Sequence, residues 1–73
     1  MNQITYLTWL FDEFGFKVRW IYADISIAEA FRDYLILHDR YSIWEYIKML
    51  GQYGVIEVID IMDEAALQFI PDN

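Results

Sequence analysis

Apolar positions recur along the chain with two different periods, and the changes of period mark out its elements. From Phe16 to Ala23 the alternation is two-fold. Phe16, Val18, Trp20 and Tyr22 point one way; Lys17, Arg19, Ile21 and Ala23 point the other. The pattern predicts a strand over 16–23 that carries two of the five bases on one face. Those bases are expected to form cross-strand ion pairs, or else to meet acids of a second copy across a two-fold axis.

Beyond the strand the period becomes helical. Ser26-Ile-Ala-Glu29 and Ser42-Ile-Trp-Glu45 carry the same start signal. In each, the Ser oxygen can accept from the backbone N–H three residues on, while the Glu reaches back to the Ser N–H. A first helix is therefore predicted over 27–38. Its apolar arc comprises Leu37, Ala30, Tyr34, Ile27, His38, Phe31 and Leu35, opposite Arg32, Ile36, Glu29 and Asp33. Ile36, alone in the middle of the polar side, is a candidate partner-contact anchor. Asp39-Arg-Tyr41 turns the chain, and Tyr41 with Tyr46 forms a hydrophobic staple. The next helix, 43–52, directs Tyr46, Leu50, Ile43, Ile47 and Met49 inward. Gly51 or Gly54 supplies the left-handed cap that ends it.

The chain's two ends are harder to read. Residues 3–14 admit a helix with Tyr6, Leu10, Phe14, Leu7, Phe11 and Ile4 on one face, and Thr5, Thr8 and Asp12 opposite. Asn2 would cap its start and Gly15 its end. The run Ile4–Phe11 is also rich in β-branched and aromatic residues and admits a strand. The helix is favoured because the strand leaves both faces mixed. Val55–Met62 alternates imperfectly, with so few polar positions that a strand covered on both faces is expected. Residues 63–70 admit a short helix or the return strand of a hairpin, closed by Pro71. The expected fold is thus one small α+β domain spanning residues 1–73. Helices at about 27–38 and 43–52 pack on a two- or three-stranded sheet that includes 16–23 and 55–62.

Composition adds a constraint. A chain of 73 residues buries only about 60% of the surface its unfolded form exposes. Yet 58% of its residues are hydrophobic and 14 are aromatic, six of them Tyr. The surplus predicts exposed apolar surface, and hence a contact site in a homodimer or a tight complex with another protein. A dense aromatic core in a monomer is the alternative. With no Cys, disulfides, thiol nucleophiles and Cys-based metal sites are excluded. No basic segment precedes an apolar run at the start, and no uncharged stretch reaches the 18 or so residues of a membrane span. A soluble, cytoplasmic protein is expected, in the host cell's cytoplasm if it is phage-encoded.

The net charge of −7, from 12 acids and 5 bases, disfavours contact with nucleic acid or an anionic membrane. It suits a basic partner, although acidity also serves simply to keep an apolar chain in solution. Residues 49–73 contain five acids and no base, which makes the C-terminal third the negative end.

Reaction chemistry is not evident. His38 is the single histidine, and Asp39 beside it does not share its helix face, so a dipole or packing role is expected. Ser26 and Ser42 read as caps, and neither sits in a nucleophile elbow. Glu57, Asp60, Asp63 and Glu64 lack the Gly and the acid alternation of a calcium loop, and a regular strand sends Glu57 and Asp60 to opposite faces. Gly51-x-x-Gly54 lacks the Lys and Ser/Thr of a phosphate loop. Lys17-Val-Arg-Trp20 has the basic–aromatic pattern of single-strand binders, but the overall field opposes it. No catalytic residue, cofactor or metal is assigned.

Two functional classes follow. In the first, the chain is a non-enzymatic inhibitor or modulator that blocks a basic groove of a host nucleic-acid-binding enzyme or effector complex. Glu57, Asp60, Asp63, Glu64, Glu29 and Asp33 would stand where phosphates lie, with Ile36 as an apolar anchor. In size, acidity and lack of catalytic motifs the chain resembles phage-type anti-CRISPR and anti-restriction proteins. The likeness is one of composition, without a shared motif. Its acids are more diluted by apolar residues than those of strong DNA mimics, which implies partly apolar contacts. In the second class the chain is a homo-oligomeric assembly module whose surplus apolar surface is the subunit interface.

Overall fold

In the computed structural model, which describes residues 2–62, the first element is a helix, α1 (Gln3–Glu13). Its ends are well made. The Asn2 side chain accepts from the Thr5 N–H at 2.7 Å. Gly15, at φ 90°, takes the left-handed conformation that closes the helix and donates to the Asp12 carbonyl at 2.9 Å. The buried face is rotated from the expected one: Phe11 is fully buried, Ile4, Leu7 and Thr8 are half-buried, and Tyr6 is exposed. Thr8 is the reason. Its hydroxyl donates to the Ile4 carbonyl at 2.8 Å and accepts from the Trp20 indole N–H at 2.7 Å. A residue assigned to the polar side thus faces the sheet.

β1 (Phe16–Trp20) follows and is shorter than predicted. The Ile21 and Tyr22 N–H groups both donate to the Val55 carbonyl, at 2.8 and 3.1 Å, so the chain leaves the ladder there. α2 (Ile25–Leu37) begins two residues before its expected start. Asp24, not Ser26, is the N-cap, accepting from the Ser26 N–H at 3.0 Å and the Ser26 hydroxyl at 2.6 Å. A carboxylate is favoured over a hydroxyl at this position because it also meets the positive end of the helix dipole. α3 (Ile43–Gln52) keeps its predicted bounds, with Ser42 accepting from the Glu45 N–H at 3.1 Å. The Tyr41–Tyr46 staple is present, with ring centroids 5.8 Å apart.

α2 and α3 end alike, each with a six-to-one backbone bond: Arg40 N–H to Leu35 and Val55 N–H to Leu50, both 2.9 Å. The left-handed residue is Gly54 in one and Asp39 (φ 55°) in the other. Asp is among the few non-Gly residues that tolerate this conformation.

The fold is α+β, with three helices and an antiparallel two-stranded sheet of β1 and β2 (Ile56–Ile61). Phe16 pairs with Ile61 and Lys17 with Asp60, whereas Val18 pairs with Val58, Arg19 with Glu57 and Trp20 with Ile56. Ile59 is the extra residue of a bulge, and it shifts the alternation of β2 by one position. β2 is not covered on both faces: Ile56 is buried and the other five residues are exposed. The expected element at 63–70, short helix or return strand, lies outside the described residues.

The core joins all the elements through Phe11, Phe16, Val18, Ala28, Leu35, Tyr46, Ile47, Leu50, Val55 and Ile56. No polar or charged residue is buried among the described residues. α3 presents its predicted face, but α2 does not. Ala28 and Leu35 are its buried residues, while Tyr34 and Leu37 of the expected core arc are exposed. The small Ala28 lets α3 approach until the Tyr46 hydroxyl donates to the Ala28 carbonyl at 2.8 Å. That contact sets the rotation of α2.

Two predictions concern these contacts. Tyr46→Phe should cost about 1–2 kcal/mol in urea unfolding at neutral pH, because it leaves a buried carbonyl acceptor short of a partner. Burial pushes the Tyr46 phenol well above its ordinary value of 10.0, so its stabilising share is complete below pH 10 and lost as pH rises beyond it. The gap between wild type and Tyr46→Phe should therefore narrow in alkali. The caps should separate at the other extreme. The bonds from Ser26 hold the Asp24 carboxyl below 3.8, so the advantage over Asp24→Ala should be present above that pH and vanish as pH falls through the depressed value. Ser42→Ala should cost about 1 kcal/mol with no such acid dependence. Parallel pH profiles for the two cap variants would contradict the assignment of Asp24.

Candidate functional site

A bulge in β2 decides how the sheet meets its surroundings. In a regular strand, Glu57 and Asp60 would face opposite ways. With Ile59 inserted, both stand on the face that carries Lys17 and Arg19, each acid in register with a base. The Arg19 guanidinium donates to the Glu57 carboxylate at 2.8 Å. Both side chains are more than half exposed, so the pair contributes on the order of 0.2–1 kcal/mol and exchanges readily. Of the basic stripe read from the strand pattern, Arg19 is thus ion-paired within the sheet, while Lys17 lies in register with Asp60. Val58, Ile59, Ile61 and Met62 are exposed around it, which makes β2 a mixed acidic and apolar edge.

The other acids named from sequence lie on a different element. Glu29, Asp33 and Ile36 follow one another at spacings of four and three along α2, forming a single stripe. Glu29 is half-buried and Asp33 is exposed, 3.2 Å from the Arg32 guanidinium. Ile36 is 55% exposed, as expected of an unpaired apolar residue on the polar side. α2 packs against α3, whereas the sheet meets α1 and α3, so the two groups of acids belong to separate parts of the molecule. Asp63 and Glu64 lie outside the described residues.

Other acids carry charge that the sequence pattern did not single out. Asp12 and Glu13 close α1 and Asp39 follows α2, all at the negative ends of helix dipoles. None has a cation within 4 Å among the described residues, and none of the three helices has a base in its last turn. The local cost of such placements is about 0.3–1 kcal/mol each. The signal was available in the spacing of Asp12 and Glu13 from Gly15.

An apolar groove of about 340 Å³ runs between the end of α1 and the start of α3, lined by Phe14, Phe16, Tyr41, Ser42, Ile43 and Trp44. Trp44 stacks on Phe16 with centroids 5.9 Å apart. Its indole N–H is buried without a hydrogen-bond partner, a position that costs about 1–3 kcal/mol. Partial burial pushes the Tyr41 phenol upward. This groove escaped the sequence pattern because its walls come from two stretches far apart in the chain, 14–16 and 41–44.

His38 is the C-cap of α2, exposed, with its ring 4.3 Å from that of Tyr34. Asp24 holds the Ser26 hydroxyl and the Glu45 N–H donates to that of Ser42, so both serines serve helix starts. Among the described residues, no group of three or more His, Asp or Glu side chains is placed to hold a metal ion. No described helix is long and apolar enough to cross a membrane. What the arrangement offers is contact surface: exposed apolar side chains, exchangeable ion pairs and unmatched acids. Comparison with models of known protein families, with curated proteins and with solved structures finds no match.

Proposed function

We propose that the chain works by binding another protein, as a small acidic modulator without chemistry of its own. It would occupy a basic, nucleic-acid-binding groove of a host enzyme or effector complex and exclude the nucleic acid. The observation that carries this reading is the edge formed by β2. Five of its six residues are exposed, and the bulge puts Glu57 and Asp60 on one face beside Ile59. Asp63 and Glu64 follow in the sequence, one residue beyond it.

The balance of forces favours a mixed contact over a pure phosphate mimic. On the sheet face itself two acids oppose two bases, so local charge is close to neutral. The net −7 acts at longer range, steering a cationic partner and raising its association rate by about 10-fold or more at low salt. Affinity would then come from desolvating the exposed apolar residues, while weak pairs such as Arg19–Glu57 exchange for contacts with the partner. Glu29, Asp33 and Ile36 on α2 form a second strip of the same chemistry. A homo-oligomeric assembly module is the second reading, favoured by the exposed apolar face of α2.

The test is an affinity capture from host lysate at low and high salt, with captured proteins identified by mass spectrometry. Wild type should retain one dominant nucleic-acid-binding protein at low salt and less of it at high salt. The triple variant Asp60→Asn, Asp63→Asn, Glu64→Gln should fold normally and associate with that protein at least about 10-fold more slowly. Capture that survives the triple change undiminished would sink the acidic-edge reading.

A further inference from the structure

α2 carries two apolar stripes, and the fold uses one of them. Ala28 and Leu35 are buried, with Ile25 and Phe31 half-buried beside them. The second stripe is Ile27, Ala30, Tyr34 and Leu37, spaced three, four and three, which is the spacing of a helix-pairing seam. Ile27 is half-buried; the others face solvent, Tyr34 at 47% and Leu37 at 81% exposure. Tyr53, 67% exposed, stands beside this seam through its ring contact with Phe31, centroids 5.1 Å apart.

We propose that this seam pairs with the same seam of a second copy of the chain, antiparallel, across a two-fold axis near Tyr34. The inference rests on the self-associating reading and adds the surface that carries it. Its basis is a knob and a socket on one helix. The socket is a depression of about 340 Å³ between α2 and the end of α3, lined by Ala30, Phe31, Tyr34, Met49 and Tyr53. The knob is Leu37, the most exposed of the large apolar side chains among the described residues. Ala30 and Leu37 are seven residues apart, about 10 Å along the axis on the same side of the helix. A two-fold crossing near Tyr34 therefore sets each Leu37 over the other copy's Ala30, and the contact is reciprocal. The pairing of large with small is what lets two helices interlock at close range.

The available area also suits a twin. Burying Tyr34, Leu37, Tyr53 and their neighbours removes on the order of 500 Å² per copy, or about 1,000 Å² for the pair, the lower bound of a specific interface. The seam itself contains no charge, but Asp33 and Glu29 flank it and each copy carries −7. Association of two like-charged copies should accordingly tighten as salt rises, opposite to the capture of a basic partner.

Sedimentation equilibrium of the full chain, at low and high salt, tests the proposal. Wild type should move from 8.8 kDa toward twice that mass with rising concentration, more readily at high salt. Leu37→Glu should weaken association at least about 30-fold with an unchanged circular dichroism spectrum, because the side chain is outside the core. Ile36→Glu, one position off the seam, should stay dimeric. Since the chain has no Cys, Tyr34→Cys near the axis should form a disulfide-linked dimer on mild oxidation. A dimer indifferent to Leu37→Glu would overturn the seam while leaving self-association standing. A chain monomeric up to about 1 mM would overturn both and leave the face to an unlike partner.

Discussion

A single run of contacts ties the elements of this protein together: Trp20, Phe11, Tyr46 and the Ala28 carbonyl. Trp20 of β1 stacks on Phe11 of α1 at 6.4 Å, and Phe11 meets the edge of Tyr46 of α3 at 5.9 Å. The Tyr46 hydroxyl then reaches the backbone of α2. Each end of the run is fixed by a hydrogen bond, indole to Thr8 at one end and phenol to Ala28 at the other. Apolar burial alone has no direction, so these two polar bonds select one packing among the many that would bury the same rings. The rotation of α1 and of α2 follows from them.

Those rotations explain where the surplus apolar surface goes. A chain this small cannot enclose all of its hydrophobic residues, and fixing Ala28 against α3 turns Tyr34 and Leu37 outward. Likewise, the Ile59 bulge places Asp60 opposite Lys17 and leaves β2 an exposed edge. Fourteen large apolar side chains stand more than a third exposed among the described residues, spread over α1, α2, β2 and the segments that join the elements. Under the proposed reading this surface serves contact, and its acids and its apolar seam suit different occupants.

Much of the architecture was legible from local signals. The Asn2 and Ser42 caps, the Tyr41–Tyr46 staple and the left-handed Gly15 act within a few residues, where spacing alone carries the physics. The bounds of α3 follow from them. What escaped turns on competition between neighbouring signals or on partners distant in sequence. The choice of Asp24 over Ser26 turns on two competing caps two residues apart, and that of Ala28 over Ala30 on a tyrosine 18 residues away. The bulge is set by pairing with β1 and has no signature of its own in Val55–Met62. Of the residues expected to contact a partner, Glu57 and Asp60 proved to share a face only because of that bulge. Glu29, Asp33 and Ile36 were readable as a stripe from helical spacing alone.

In the proposed reading the exposed apolar faces meet other protein surfaces, and α2 carries the most sharply defined of them. The most direct measurement is a set of backbone amide NMR spectra over a dilution series from about 1 mM to about 10 µM. Resonances of Ala30, Tyr34, Leu37 and Tyr53 should shift together with concentration, while those of Phe11, Ile47 and Leu50 in the core hold still. Spectra that superimpose throughout the series would contradict self-association through α2.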